Sequence, residues 1–185
     1  MGGAAGHMSH PFDLSWVDTG NNLIDFFEKN INLAEPGGAG DIKLNNLEIC
    51  LDIDFNNPSS FGLEFILSNM LSQYKEKFPL IDSSIGRWYV SSTCQLAKYK
   101  PNNYYSYIHC ENDGQSEYFS RVFAWMMYLN DIKEGGGTYF NHQNFTTKPV
   151  AGNLFIWPAG WTHMHQGVNA PKEIKYILTG WVEYI

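Results

Sequence analysis

Two hydrophobic spacings divide the chain. In the first half, residues 14–30 and 61–77 carry apolar positions three and four apart. In the second segment Leu63, Ile66, Leu67, Met70, Leu71 and Tyr74 line one side after the start signal Pro58-Ser59-Ser60, which predicts an amphipathic helix. Between these helices lie the turn-rich stretch Pro36 to Asp41 and a short apolar run, Leu47 to Ile53, that reads as a strand. From Arg87 onward the period shortens to short aromatic and β-branched runs. Turn clusters separate them at 101–103, 111–114, 133–137, 141–144 and 169–172. The predicted strands are 87–99, 104–110, 121–130, 137–140, 146–149, 153–157, 163–168 and 174–184, the texture of an antiparallel barrel or sandwich. On the last strand, period two places Lys175, Ile177, Thr179 and Trp181 on one face and Tyr176, Leu178, Gly180 and Val182 on the other. The first set suits an apolar pocket floor with one cation at its end.

Composition agrees with this pattern. The 185 residues are 44% hydrophobic and 17% charged, a globular balance for one domain. The aromatic share of 16% points to a β-rich core. With 12 Lys plus Arg against 19 Asp plus Glu, the net charge of −7 disfavours nucleic acid as a partner. Cys50, Cys94 and Cys110 form no CxxC pair and are odd in number, so neither a disulfide framework nor a cysteine zinc site is expected. No apolar run spans a bilayer and no signal peptide is recognisable, so a cytoplasmic protein without a membrane partner is expected. Residues 1–7 read as an expression-vector remnant. Residues 8–185 then form one domain, with 8–86 as helical support and 87–185 as the β core. Oligomeric state is not legible.

The candidate chemistry lies in the β core. His109-Cys110-Glu111 ends a predicted strand, where residues i and i+2 project from one face and can converge on one ion. Trp161-Thr-His163-Met-His165 supplies an imidazole pair with the same spacing. Two histidines and a carboxylate, with one face of the metal open, is the arrangement of non-haem Fe(II) oxygenases. Either triplet alone is weak evidence, and His142, in a polar turn, reads as solvent-exposed. Gly135-Gly136-Gly137-Thr138 enters a strand rather than a helix, so it reads as a hairpin turn and not as a phosphate loop.

Residues 94–182 resemble the Fe(II)/2-oxoglutarate-dependent dioxygenases, in particular the prolyl 4-hydroxylase-like branch. The likeness runs through Gln95 to Tyr99, the HxE triplet, Tyr128 to Asp131, Gly135 to Phe140, Lys148 to Trp157, His165-Gln166-Gly167 and Lys175 to Trp181. It implies a double-stranded β-helix, a jelly-roll or cupin-like core, mainly β and buttressed by N-terminal helices. It also implies Fe(II) as cofactor, 2-oxoglutarate and O2 as cosubstrates and ascorbate as reductant. In that family a basic residue follows the second histidine ligand by ten positions. Lys175 stands ten after His165, whereas Glu173 stands ten after His163. The resemblance therefore assigns His109, Glu111 and His165 to iron and Lys175 to the distal carboxylate of 2-oxoglutarate. No catalytic side chain beyond these ligands is expected. Tyr128, Tyr99 and Thr179 are further cosubstrate candidates; His163, Trp161 and Trp181 are candidates for substrate contact or outer support. Either tyrosine also suits plain core, and His163 a structural role.

The family's usual triplet is HxD, so Glu111 is a departure, longer by one methylene. A retained carboxylate argues against a halogenase. The implied activity is hydroxylation with release of succinate and CO2, most closely of a prolyl residue in a peptide or protein. Loops 101–106, 112–120 and 158–163 are the expected substrate contacts. The same chemistry on a non-prolyl small molecule or nucleobase, a cupin-like metal-binding protein without oxygenase activity, and a non-catalytic interaction domain are the alternatives.

Overall fold

The computed structural model describes residues 14–39, 42–56 and 61–185. The expected vector remnant 1–7, part of the 36–41 linker and the start signal at 58–60 lie outside the described residues. Helices α1 (Leu14–Lys29) and α2 (Leu63–Lys77) follow the predicted segments closely, with a short α3 (Ile81–Ser84) after them. On α2, Leu63, Ile66, Leu67, Met70 and Tyr74 are buried, the stripe that the spacing requires. No helix among the described residues is long and apolar enough to cross a membrane.

The described residues also form nine strands, in chain order β1 (Glu35–Ala39), β2 (Ile42–Asp52), β3 (Trp88–Tyr99), β4 (Arg121–Tyr128), β5 (Thr138–Phe140), β6 (Phe145–Thr146), β7 (Leu154–Pro158), β8 (His165–Gly167) and β9 (Lys175–Tyr184). They form a six-stranded sheet, in the order β1-β2-β3-β9-β4-β7, and a three-stranded sheet, β6-β5-β8. Every ladder is antiparallel. The architecture is the mainly β jelly roll with flanking helices that the resemblance implies.

Alternate residues of the large sheet enter two different cores. On one face Cys94, Leu96, Phe123, Trp125, Met127, Leu154, Ile156, Tyr176, Leu178 and Val182 pack with Leu23 and Phe27 of α1 and with the α2 stripe. On the other, Ala97, Tyr99, Ala124, Met126, Tyr128, Phe155, Trp157 and Ile177 gather with Phe140 of the small sheet. A sheet covered on both faces has no polar alternation to show, which is why β4 reads as a nearly continuous apolar run. Gly180 is fixed by this packing: a Cβ there would lie 2.5 Å from Trp125 Cζ2.

Three expectations change. The predicted strand 104–110 forms no ladder. It is tied to β8 at separate points, Gly167 N–H to the Tyr105 carbonyl and a single antiparallel bridge between His109 and His165. The predicted strand 163–168 starts late: Trp161–His163 is a short 3-10 turn and pairing begins at His165. In addition, the Pro-Gly stretch taken for a linker supplies edge strand β1, paired with β2. Hence the first half contributes strands as well as helices.

Candidate metal centre

His109 and His165 are brought together by main chain. Each donates its backbone N–H to the other's carbonyl, at 2.9 and 2.8 Å. Glu111 follows, its own N–H held by the Ala159 carbonyl at 2.9 Å. One donor atom from each of His109, Glu111 and His165 lies within 4.8 Å of the others. Glu111 Oε1 is 3.3 Å from His165 Nε2 and 3.6 Å from His109 Nε2.

Both imidazoles are oriented from behind. His109 Nδ1 lies 3.0 Å from the Tyr107 carbonyl, and His165 Nδ1 lies 2.8 Å from the His163 carbonyl. A carbonyl only accepts, so each Nδ1 carries the proton and each Nε2 presents a lone pair toward Glu111. Aromatic packing holds the ring planes: Tyr105 lies 4.3 Å from His109, while Trp157 and Phe140 lie 5.2 and 5.3 Å from His165. Burial pushes the Glu111 carboxyl up, but whenever the rings also carry a proton on Nε2 their hydrogen bonds and charge outweigh it and hold Glu111 well below the usual carboxylate range, and a metal ion would take the place of those protons. Two neutral imidazoles and a carboxylate on one point suit a divalent, borderline-soft ion.

The triad opens on a cavity of roughly 660 Å³, and Lys175, Ile177, Thr179 and Trp181 all line it. Lys175 is 4% exposed. Its Nζ donates to the Gly136 carbonyl at 3.2 Å and stands 4.7 Å over the Tyr99 ring. No carboxylate pairs with it among the described residues, and burial pulls its pKa down from 10.5 to about 8. A cation so placed lacks an anion.

The other expected residues divide. Tyr99 lines the cavity beneath Lys175, and the Thr179 hydroxyl, also lining it, donates to the Trp125 carbonyl at 3.0 Å. Tyr128, expected to donate to the cosubstrate, is fully buried off the cavity wall. Its hydroxyl is engaged by Thr147 Oγ1 at 2.6 Å and Thr138 Oγ1 at 3.3 Å, so it braces Thr138, which does line the cavity. His163 contributes its carbonyl to His165, while its ring pairs with Thr162 Oγ1 at 3.0 Å. Trp161 is 72% exposed, edge-on to His142 and off the cavity wall. Trp181 does reach the triad, its indole N–H donating to Glu111 Oε2 at 2.8 Å.

Arg121 and Thr138 were not foreseen, and Tyr105 was expected only as part of the 101–106 substrate loop. Arg121 Nη1 lies 3.5 Å from Glu111 Oε2. One of only two arginines in the chain, it opens an apolar strand, and that isolation was the available signal. Thr138 closed the triple-glycine motif read only as a turn, and the Gly136 carbonyl of that turn meets Lys175.

A family model described as the 2OG-Fe(II) oxygenase superfamily matches residues 94–183. No curated protein matches the chain in sequence. Among solved structures, a Pseudomonas putida prolyl-4-hydroxylase superposes with a TM-score of 0.68 at 17% identity, covering 98% of this chain and 95% of its own. A viral collagen prolyl hydroxylase from Paramecium Bursaria Chlorella virus-1, in complex with 2OG, gives 0.64 at 20% identity, covering 91% of each chain. A Trichoplax adhaerens prolyl hydroxylase, in complex with a hypoxia inducible factor peptide fragment, gives 0.61 at 17%, covering 92% of this chain and 77% of its own. These likenesses concern the fold.

Proposed function

We propose, because residues 94–183 belong to the 2OG-Fe(II) oxygenase superfamily, that the chain is an Fe(II)- and 2-oxoglutarate-dependent dioxygenase that hydroxylates prolyl residues in a peptide or protein. The observation that carries this reading is the buried, unpaired Lys175 on the wall of the same cavity as the His109-Glu111-His165 triad. Iron held by these three residues would supply oxygen activation, coupled to conversion of 2-oxoglutarate into succinate and CO2. Lys175 takes the distal carboxylate, the anion that its buried ammonium lacks. Tyr99 and the Gly136 carbonyl fix the ammonium for it. The Tyr107 and His163 carbonyls keep the histidine tautomers, and Ile177, Met126 and Trp157 supply apolar wall that limits water at the reacting end.

A prolyl peptide as substrate is supported by the likeness to three prolyl hydroxylase structures, one of them holding a peptide. It is further supported by large exposed side chains, Tyr104, Tyr107 and Phe119, on the segments whose Tyr105 and Tyr118 line the cavity. The test is succinate formation with Fe(II), 2-oxoglutarate and ascorbate across a panel of proline-containing peptides, free amino acids and nucleosides. Peptide-stimulated turnover, with a 16 Da gain on proline, is expected. Stimulation by another class alone overturns the prolyl assignment, and no metal-dependent 2-oxoglutarate turnover with any of them overturns the oxygenase reading.

A further inference from the structure

The Glu111 carboxylate has two differently used ends. Oε1 faces both imidazoles, while Oε2 accepts the Trp181 indole N–H at 2.8 Å and lies 3.5 Å from Arg121 Nη1. Arg121 is itself confined. Its guanidinium carbon sits 3.8 Å from the Trp181 ring centre and 4.4 Å from that of Tyr118, and its Nη1 also donates to the Glu111 main-chain carbonyl at 3.3 Å. Arg121 thus grips residue 111 at both its backbone and its carboxylate, and Trp181 grips the carboxylate. Glutamate has one more rotatable bond than aspartate, so more freedom must be removed to present one oxygen in one direction. An unheld glutamate can turn either oxygen, or both, toward an ion.

We propose that Trp181 and Arg121 are positioning residues which hold the outer oxygen of Glu111, so that the longer carboxylate offers the metal a single oxygen as a shorter aspartate would. The inference rests on the metal assignment of the preceding section. Aspartate at position 111 would draw the carboxylate back from the indole, and the grip would then have nothing to hold.

The test is a double-mutant cycle on Ni(II) affinity, measured by calorimetry on the full chain. Ni(II) binds nitrogen and oxygen donors more tightly than Fe(II). Trp181→Phe should weaken Ni(II) binding by about 10- to 100-fold when residue 111 is glutamate. In a Glu111→Asp background the same change should cost no more than about twofold, the additivity limit of such cycles. An equal loss in both backgrounds would mean general damage to the strand and overturns the proposal, as does no loss in the parent protein. Should Trp181→Phe fail to fold, Arg121→Gln runs the same cycle with the same expected asymmetry. Absence of Ni(II) binding by the parent protein would instead reject the metal assignment itself.

Discussion

The helix-facing and cavity-facing sides of the six-stranded sheet are built from alternate residues of the same strands, yet they meet opposite demands. On β9, Tyr176, Leu178 and Val182 enter a closed apolar core, while Lys175, Thr179 and Trp181 line the cavity with polar groups. The helix side gains stability from every methylene it buries. The cavity side keeps a cation without an anion and a carboxylate between two imidazoles. One strand thus carries scaffold and chemistry a single residue apart, and substitutions on it should separate cleanly into two classes.

The sharpest way to break the comparison is at the triad. His165→Ala should reduce metal-dependent succinate formation to background while leaving thermal unfolding of the metal-free protein within a few degrees. His163→Ala, which keeps the carbonyl that orients His165, should retain activity; the reverse pattern would exchange the two assignments. Next in size, Leu178→Ala on the helix side should destabilise the fold by about 2–5 kcal/mol, read by denaturant titration. The folded fraction should still bind 2-oxoglutarate normally.

Lys175→Met, on the neighbouring position, should do the opposite. Loss of the charged hydrogen bond should lower 2-oxoglutarate affinity by about 1.5–3 kcal/mol, or roughly 10- to 150-fold. The ligand-free protein should melt higher, because an unpaired buried charge has gone. A lower melting temperature together with unchanged affinity would place Lys175 in the scaffold class.

The smallest effect is a proton. Burial depresses Lys175 from 10.5 to about 8 in the free protein. Below pH 8 the ammonium is already present and binding recruits no proton. Above pH 8 binding must take one up, so affinity should fall as pH rises, and calorimetry in buffers of different ionisation heat should show uptake approaching one. Because the folded protein binds fewer protons than the unfolded chain between pH 8 and 10.5, the stability of the ligand-free form should rise across that window.

Much of this division was readable in the residues, because period-two alternation on β9 needs only strand geometry. That His109, Glu111 and His165 would meet, with Lys175 on the same cavity, was readable through spacing and resemblance together. The misread parts depend on partners far along the chain. Tyr104 to Ile108 has strand composition, yet it wraps toward β8 to deliver His109 and pairs only at isolated points. Pro36-Gly37-Gly38 looks like a turn, but a Cβ on Gly37 would collide with the Asn46 and Glu48 side chains, so glycine there lets β1 lie close against β2. Tyr128 carries a pocket-like hydroxyl that Thr138 and Thr147 claim first. The Arg121 and Trp181 grip on Glu111 joins three separate segments, and it is set by the register of β4 against β9 rather than by any local motif.

The mutual backbone bridge between His109 and His165 has a topological meaning as well. It closes residues 110–164 into a loop, and an ion ligated by both imidazoles would fasten that loop at its neck as a removable staple. Denatured chain would have to release the staple before it could expand. Bound metal would therefore raise unfolding resistance with the logarithm of its concentration, tying the lifetime of the folded protein to the supply of the ion.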